Sequence, residues 1–291
     1  MMRVIKICLV LAAMVLIAIV ALSTFLPRQI PNLKNQITTY INSSNTVIID
    51  YQDLTFQWLT FDESSIRPRL TFDQISIHLS QQEEAGLIKF KTAEIEINLV
   101  GSLVARSPRF SSIKIDGSKI ILTNSPIDGF LFNKIPIKKL LNLPELATKQ
   151  AAVDFVNINI ELPVDSTTTF FSNLKGQIKH KYNMALIELE NMDYSTTDSN
   201  LKINNVSGLI EIARARFKAN SLSGQFLGRP VSIQIDPYNK DGYTQLLLLR
   251  SESESIKLIN VLDLPLAELF SGTVNWEAEV YLSERPEEIP I

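Results

Sequence analysis

The amino-acid sequence predicts a mostly β protein: an N-terminal transmembrane helix followed by an elongated, twisted antiparallel sheet, with a few short helices. Three observations carry this. An apolar run extends from Ile7 through Leu22, reaching Leu26 if Ser23 and Thr24 are tolerated. From Val47 onward the apolar residues recur at period two over most of the chain. Helical spacing is confined to a few short stretches between those runs.

The first run has Arg3 and Lys6 ahead of it and contains no charge. About 20 residues at 1.5 Å rise cross about 30 Å of hydrocarbon. The basic residues precede it, which places the amino terminus in the cytoplasm and the bulk of the chain across the membrane. A cleaved signal peptide is the competing reading, with Ala21-Leu22-Ser23 as its cleavage triplet, but its apolar region is usually about 7–15 residues. Cys8, the one cysteine among 291 residues, lies in this run without a lipobox ahead of it. Leu246-Leu247-Leu248-Leu249, between Gln245 and Arg250, is far too short to span and suits a buried strand.

Beyond the anchor, Leu33, Ile37, Tyr40 and Ile41 share one helical face, and Asn42-Ser43-Ser44-Asn45 stops that helix. Then the period changes. Ala93, Ile95, Ile97 and Leu99 alternate with Glu94, Glu96 and Asn98, and Val156, Ile158, Ile160 and Leu162 alternate with Asn157, Asn159 and Glu161. Phe270, Val274, Trp276, Ala278, Val280 and Leu282 form the clearest run. Each reads as a strand with one buried and one wet face. Apolar parity is odd at Ile113 and Ile115 but even at Ile120 and Leu122, so Gly117 between them is expected to bulge and shift the register by one. Further strands are expected at 54–58, 70–79, 87–91, 174–189, 206–212, 217–226, 231–235 and 243–250, and short helices at 137–143, resuming after Pro144, and at 256–262. The resulting division is a tail at 1–6, the anchor at 7–26, a linker with the amphipathic helix at 27–45, a first β segment at 46–135, a helical connection at 136–152 and a second β segment at 153–291. One-sided strands in succession leave a large apolar face, which either a second sheet or curling into a trough can shelter. A porin-type barrel is disfavoured by the N-terminal helix.

The order of features resembles the AsmA-like superfamily. Val47-Ile48-Ile49, an extended segment with Trp58, and Arg67-Pro68-Arg69-Leu70-Thr71-Phe72 running on to Ile77 are similar to its opening. Leu99-Val100-Gly101-Ser102-Leu103, Ile113 to Gly117, Ile127-Asp128-Gly129-Phe130, Phe226 to Val231 and Ser271 to Trp276 resemble the YhdP branch. The resemblance implies an inner-membrane anchored periplasmic protein of Gram-negative bacteria, its sheet curled into a groove lined by apolar side chains that handles phospholipid. YhdP-like chains are longer, so this one resembles a short paralogue or a truncated form; about 13 strands at 4.8 Å give a trough of roughly 60 Å. The groove-lining candidates are Ile95, Ile97, Leu99, Ile158, Ile160, Phe270, Val274 and Trp276.

Composition points away from other classes. With 28 basic against 31 acidic residues the chain has no nucleic-acid footprint. One cysteine and two histidines, His78 and His180, leave little for a metal centre or nucleophilic relay. His78 has the parity of the polar side of its strand, His180 that of the apolar side. Glu83-Glu84 and Glu287-Glu288 read as solvated loops, and Gly224–Gly228 lacks the Lys-Ser/Thr of a phosphate loop. The expectation is therefore a non-enzymatic, cofactor-free chain whose partners are phospholipid, the inner membrane and other envelope proteins. The alternative is an anchored structural or assembly module that binds another envelope protein through a strand edge.

Overall fold

The computed structural model describes residues 47–62, 65–79, 87–98, 101–102, 104, 109–125, 129–136, 151–164, 167–181, 184–197, 201–213, 216–240, 243–261 and 271–283. The apolar run at 7–26, the amphipathic helix after it and the expected helices at 137–150 lie outside these residues. No helix among the described residues is long and apolar enough to cross a membrane.

The strands are β1 (Val47–Asp50), β2 (Asp53–Asp62), β3 (Ser65–Leu79), β4 (Ile88–Ile97), β5 (Phe110–Ser125), β6 (Gly129–Phe132), β7 (Ile135–Pro136), β8 (Ala152–Val164), β9 (Thr167–Lys181), β10 (Met184–Thr196), β11 (Lys202–Ala213), β12 (Arg216–Phe226), β13 (Arg229–Lys240), β14 (Tyr243–Glu254) and β15 (Thr273–Ser283). Among the described residues a short helix, α1 (Ser255–Val261), follows β14, and residues 101, 102 and 104 are also helical. All the strands belong to one long, open, curled sheet in the order β1-β3-β4-β5-β8-β9-β10-β11-β12-β13-β14-β15. β1 and β2 lie along successive parts of the same edge of β3, and β6 and β7 form a small hairpin on β5.

The expected antiparallel sheet needs one correction: β5 and β8 pair in parallel, Ser112 facing Ala152 through Ile121 facing Glu161. A parallel pair requires the chain to return to the same end, so it needs a crossover of a dozen or more residues. Residues 126–151, between the two strands, supply that length. The sheet therefore runs unbroken from the first β segment into the second. The expected strand 174–189 is in fact the hairpin of β9 and β10, because Tyr182-Asn183 connects them without a glycine or proline to mark the turn. Conversely, the expected strands at 87–91 and 93–99 are one strand, β4.

That second merger has a physical cause that repeats across the sheet. On eight strands the spacing between consecutive residues of the apolar face is once three instead of two: Phe72 to Ile75 on β3, Phe90 to Ala93 on β4, Ile115 to Ser118 on β5, Phe155 to Ile158 on β8, Phe171 to Leu174 on β9, Leu189 to Met192 on β10, Ile203 to Val206 on β11 and Ala219 to Leu222 on β12. Five of these intervals hold a residue with positive φ: Gln74 (51°), Gly117 (67°), Asn157 (53°), Asn173 (55°) and Asn205 (53°). Glycine and asparagine reach the left-handed region most cheaply, so they concentrate here. From β3 to β8 the slips lie side by side and the pairing stays in register across them, the one shift between β4 and β5 falling at Glu96/Ile97. The expected change at Gly117 is thus a change of side-chain phase; the pairing register does not shift, because both neighbours carry the same extra residue. From β8 onward the slips are less evenly aligned: the pairings β8–β9, β9–β10, β11–β12 and β12–β13 show bulges, whereas β10–β11 stays in register.

On the outer face the slips are tied by side chains. Asn157 donates to Asp116 (2.8 Å), Asn173 to Asp193 (2.8 Å), and the Asn205 backbone N–H to Asp193 (2.9 Å). Ion pairs cover the rest of that face, among them Arg69 with Glu94 and Glu96 (3.2 and 2.8 Å), Lys119–Glu161 (2.8 Å), Lys175–Glu190 (2.6 Å) and Arg250–Glu277 (2.6 Å). The alternation of the sequence is thereby resolved into one polar and one apolar face.

Candidate functional site: an apolar trough

The apolar face is continuous from one edge of the sheet to the other. Residues directly opposite on neighbouring strands share a face, and the register traces an unbroken row: Leu54, Phe72, Ala93, Ile115, Phe155 and Gly176, then Leu189, Gly208, Leu222, Ile233, Leu249 and Ala278. Beside it runs a second, through Phe56, Leu70, Ile95, Ile113, Val153, Ile178, Ile187 and Ile210. It continues through Ala219, Ile235, Leu247 and Val280. Neither row contains a polar side chain. Gly176 is required by its surroundings: a Cβ there would come within 2.3 Å of the Glu188 carbonyl oxygen and 2.9 Å of the Phe155 ring.

Among the described residues no second sheet faces these rows. Leu70, Ile95, Ile115, Ile187, Leu247 and Leu249 remain half-buried, and Val274 and Val280 are 38 % and 41 % exposed. A sandwich core would hold such residues below contact with water. Among the described residues burial is reached instead by curvature and by two small covers on the same rim. Over β3–β5, Ile135 and Phe132 of the β6–β7 hairpin pack on Ile88, Ile77 and Ile120. Over β12–β15, Leu258 and Val261 of α1 pack, as Trp276 does, on the cluster that includes Leu222, Phe226 and Val231. The Trp276 indole N–H donates to Ser253 Oγ (3.0 Å), and its ring meets Phe226 edge-on at 5.3 Å. Both covers lie toward the strand ends at Leu79, Ser125, Phe226 and Glu254, which we call the capped rim. The other rim, with the strand ends at Lys181, Arg216, Lys240 and Tyr243, is the open rim.

Of the sequence-derived candidates, Ile95, Ile97, Ile158, Ile160, Val274 and Trp276 all stand on this one face. They differ in cover. Ile158 is 7 % exposed, whereas Ile95, Ile97, Ile160 and Trp276 are half-buried. Leu99 and Phe270 lie outside the described residues. Alternation alone missed Phe72, Phe90, Phe155, Leu189 and Phe226, because each lies near a phase slip or in a strand of mixed composition; the signal that finds them is the i to i+3 interval repeated from strand to strand.

Burial pushes the Tyr194 hydroxyl pKa up, Thr169 opposing through a hydrogen bond, and Phe171 packs edge-on against the Tyr194 ring (5.6 Å). His78 stands on the polar face with Asp50 at 3.7 Å from Nδ1. His180 lies opposite Ala185 on the apolar face by register. Among the described residues no group of three His, Cys, Asp or Glu side chains is placed to hold a metal ion. A shallow depression of about 580 Å³ lies at the aligned slips, lined by Gln74, Lys89, Lys91, Asp116, Lys119 and Asn157. No model of a known protein family matches the chain, and no curated protein matches it.

Proposed function

We propose that this chain is an inner-membrane anchored periplasmic protein that shields phospholipid acyl chains in its apolar trough, contributing to lipid transport toward the outer membrane or to its homeostasis. The observation that carries this reading is the pair of apolar rows crossing twelve strands with no facing layer among the described residues. Apolar surface of that extent on a monomer marks an interaction site. Its elongated form fits extended hydrocarbon, each CH₂ removed from water contributing about 0.8 kcal/mol. The anchor at 7–26 and the resemblance to the AsmA-like superfamily supply the compartment and the lipid. The action is passive shielding, without catalysis or cofactor.

The test is lipid retention by the full-length chain purified in mild detergent, read by mass spectrometry. Wild type should carry phospholipid. Ile95→Asp sets a carboxylate in the middle of the second row, at a half-buried position that water reaches, so the chain should stay folded and lose lipid. Folded variant with undiminished lipid would remove this face from the reading. A second reading, an assembly module, is favoured by β15, which pairs on one side only among the described strands. Under it, wild type would carry no lipid.

A further inference from the structure

We infer that the free edge of β15 accepts an added strand from another polypeptide, one that alternates apolar residues on the trough face with lysine or arginine on the outer face. This goes beyond the lipid reading and does not depend on it. The first observation is the edge itself. Among the described strands β15 pairs on one side only, with β14. That pairing runs from Thr273 opposite Glu254 to Ser283 opposite Tyr243, and its one irregularity is an extra residue on β14 between Tyr243 and Gln245. β15 itself holds no bulge, no lysine and no proline, the devices that usually blunt an exposed strand. A long regular edge of this kind presents a row of backbone donors and acceptors to a further chain.

The second is the apolar side of that edge. Val274 and Val280, toward the two ends of β15, are 38 % and 41 % exposed, whereas Val231 and Ile233 on β13 are buried. All four stand on the trough face. A residue within a sheet is sheltered by a neighbour on either side, and β15 has a neighbour on one. Apolar side chains on an added strand would cover both valines and carry the trough one strand further.

The third is charge on the outer face, where acids on one strand meet bases on the next. Arg69 of β3 holds Glu94 and Glu96 of β4, and Lys119 of β5 holds Glu161 of β8. Lys175 and Lys179 of β9 hold Glu190 and Glu188 of β10, and Arg250 of β14 holds Glu277 of β15. Glu279 breaks this pattern: it lies opposite Leu248, which offers no charge, and β15 carries no base. It accepts the Tyr281 hydroxyl instead (2.5 Å). A lysine or arginine on a further strand would pair with Glu279 across the new seam. The Tyr281 ring, 36 % exposed, adds an aromatic surface for the same cation. A second copy of β15 is a poor occupant, because it would bring acids and no base.

The test is residue-resolved hydrogen exchange of the full-length chain in mild detergent. The probe is a synthetic peptide alternating valine with lysine, and its control alternates valine with glutamate. Without a probe the β15 amides turned away from β14 should exchange freely. The lysine probe should protect them and bind several-fold tighter than the glutamate probe, the ratio falling as salt rises. Glu279→Lys, which leaves the Arg250–Glu277 pair in place, should reverse the preference. Should that variant fail to fold, Glu279→Gln must still narrow it. Val280→Lys sets a charge on the trough face of the edge and should abolish protection by the lysine probe. Ile95→Asp, on β4, should respond to the probe as wild type does, so loss of lipid and loss of the added strand are told apart. Equal binding of the two probes, protection that spares β15, or a preference unmoved at Glu279 overturns the inference. So does an edge protected before any probe is added: protection that rises with protein concentration makes the occupant a second copy, and protection that does not makes it the chain itself.

Discussion

The uneven cover of the trough predicts a gradient of stability along its strands, and Trp276 and Val280 on β15 measure it. The two residues occupy the same face of one strand, four positions apart. Trp276→Ala removes a half-buried ring, its edge contact with Phe226 and the donor to Ser253 Oγ, whose residue is fully buried. A fully enclosed aromatic would cost about 3–5 kcal/mol. Partial exposure lowers that, while the orphaned Ser253 hydroxyl adds about 1–3 kcal/mol. The expected loss is about 3 kcal/mol. Trp276→Phe keeps most of the ring and should cost about 1–2 kcal/mol, the share of the orphaned hydroxyl. Val280→Ala deletes two methyl groups from a side chain already 41 % exposed, which sets the loss below about 1 kcal/mol. Urea unfolding with a shared slope resolves these values. Equal losses at Trp276 and Val280 would refute the capped and open ends, and would mean that the whole face is enclosed.

At the phase slip on β5, Gly117→Ala should cost about 1–2 kcal/mol, since φ is +67° and the new Cβ would lie 2.8 Å from Lys91 Cβ. Gly228→Ala, at φ +78° in open space, should cost less; equal losses by calorimetry would show that the aligned slips yield freely. The Tyr281 hydroxyl, held by Glu279 at 2.5 Å, has its pKa pushed up to about 12. Its folded form keeps the proton after the unfolded chain has lost it, so this contribution is complete below pH 10 and disappears as pH rises toward 12. Phenolate absorbance of wild type against Glu279→Gln checks the sign, and an unchanged midpoint would assign the shift elsewhere. Deletion of residues 1–26 should release a soluble product, whereas a deletion that still pellets wholly with membranes after a high-salt wash contradicts a single anchor.

Much of the sheet was legible because one face is wet: Glu94 and Glu96 between Ala93, Ile95 and Ile97 leave few other readings. The strand boundaries were less so. Thr167 to Phe171 at the start of β9 shows no alternation, and Tyr182-Asn183 has neither glycine nor proline, its lone Asn183 being a weak turn signal, so the β9–β10 hairpin read as one strand. The phase slips hid the length of β4, since a change of parity within one strand looks like a boundary between two. Trough against sandwich could not be decided from periodicity, because each buries one face; it rests on which strands pair, and Ile113 beside Val153 is a relation that no local pattern contains. The capped rim was equally hidden. Leu258 and Val261 have helical spacing, but what they cover follows only from the curl of β12 to β15.

The parallel seam between β5 and β8 divides the chain as a folding problem. From β8 to β14 every strand pairs with its immediate successor, mostly through connections of two residues such as Tyr182-Asn183 and Leu227-Gly228. Such ladders can zip hairpin by hairpin, with short loops and low contact order. The seam instead closes only after the whole of 126–151 has been looped out, and each doubling of loop length adds about 0.6 kcal/mol to closure. The β8–β14 meander should therefore acquire protection from hydrogen exchange early, with β5 docking onto it as a later event. Until that docking, the outer edge of β8 is unpaired beside Val153, Phe155 and Ile158, which makes the seam the place where a nascent chain is most open to mispairing with a neighbour.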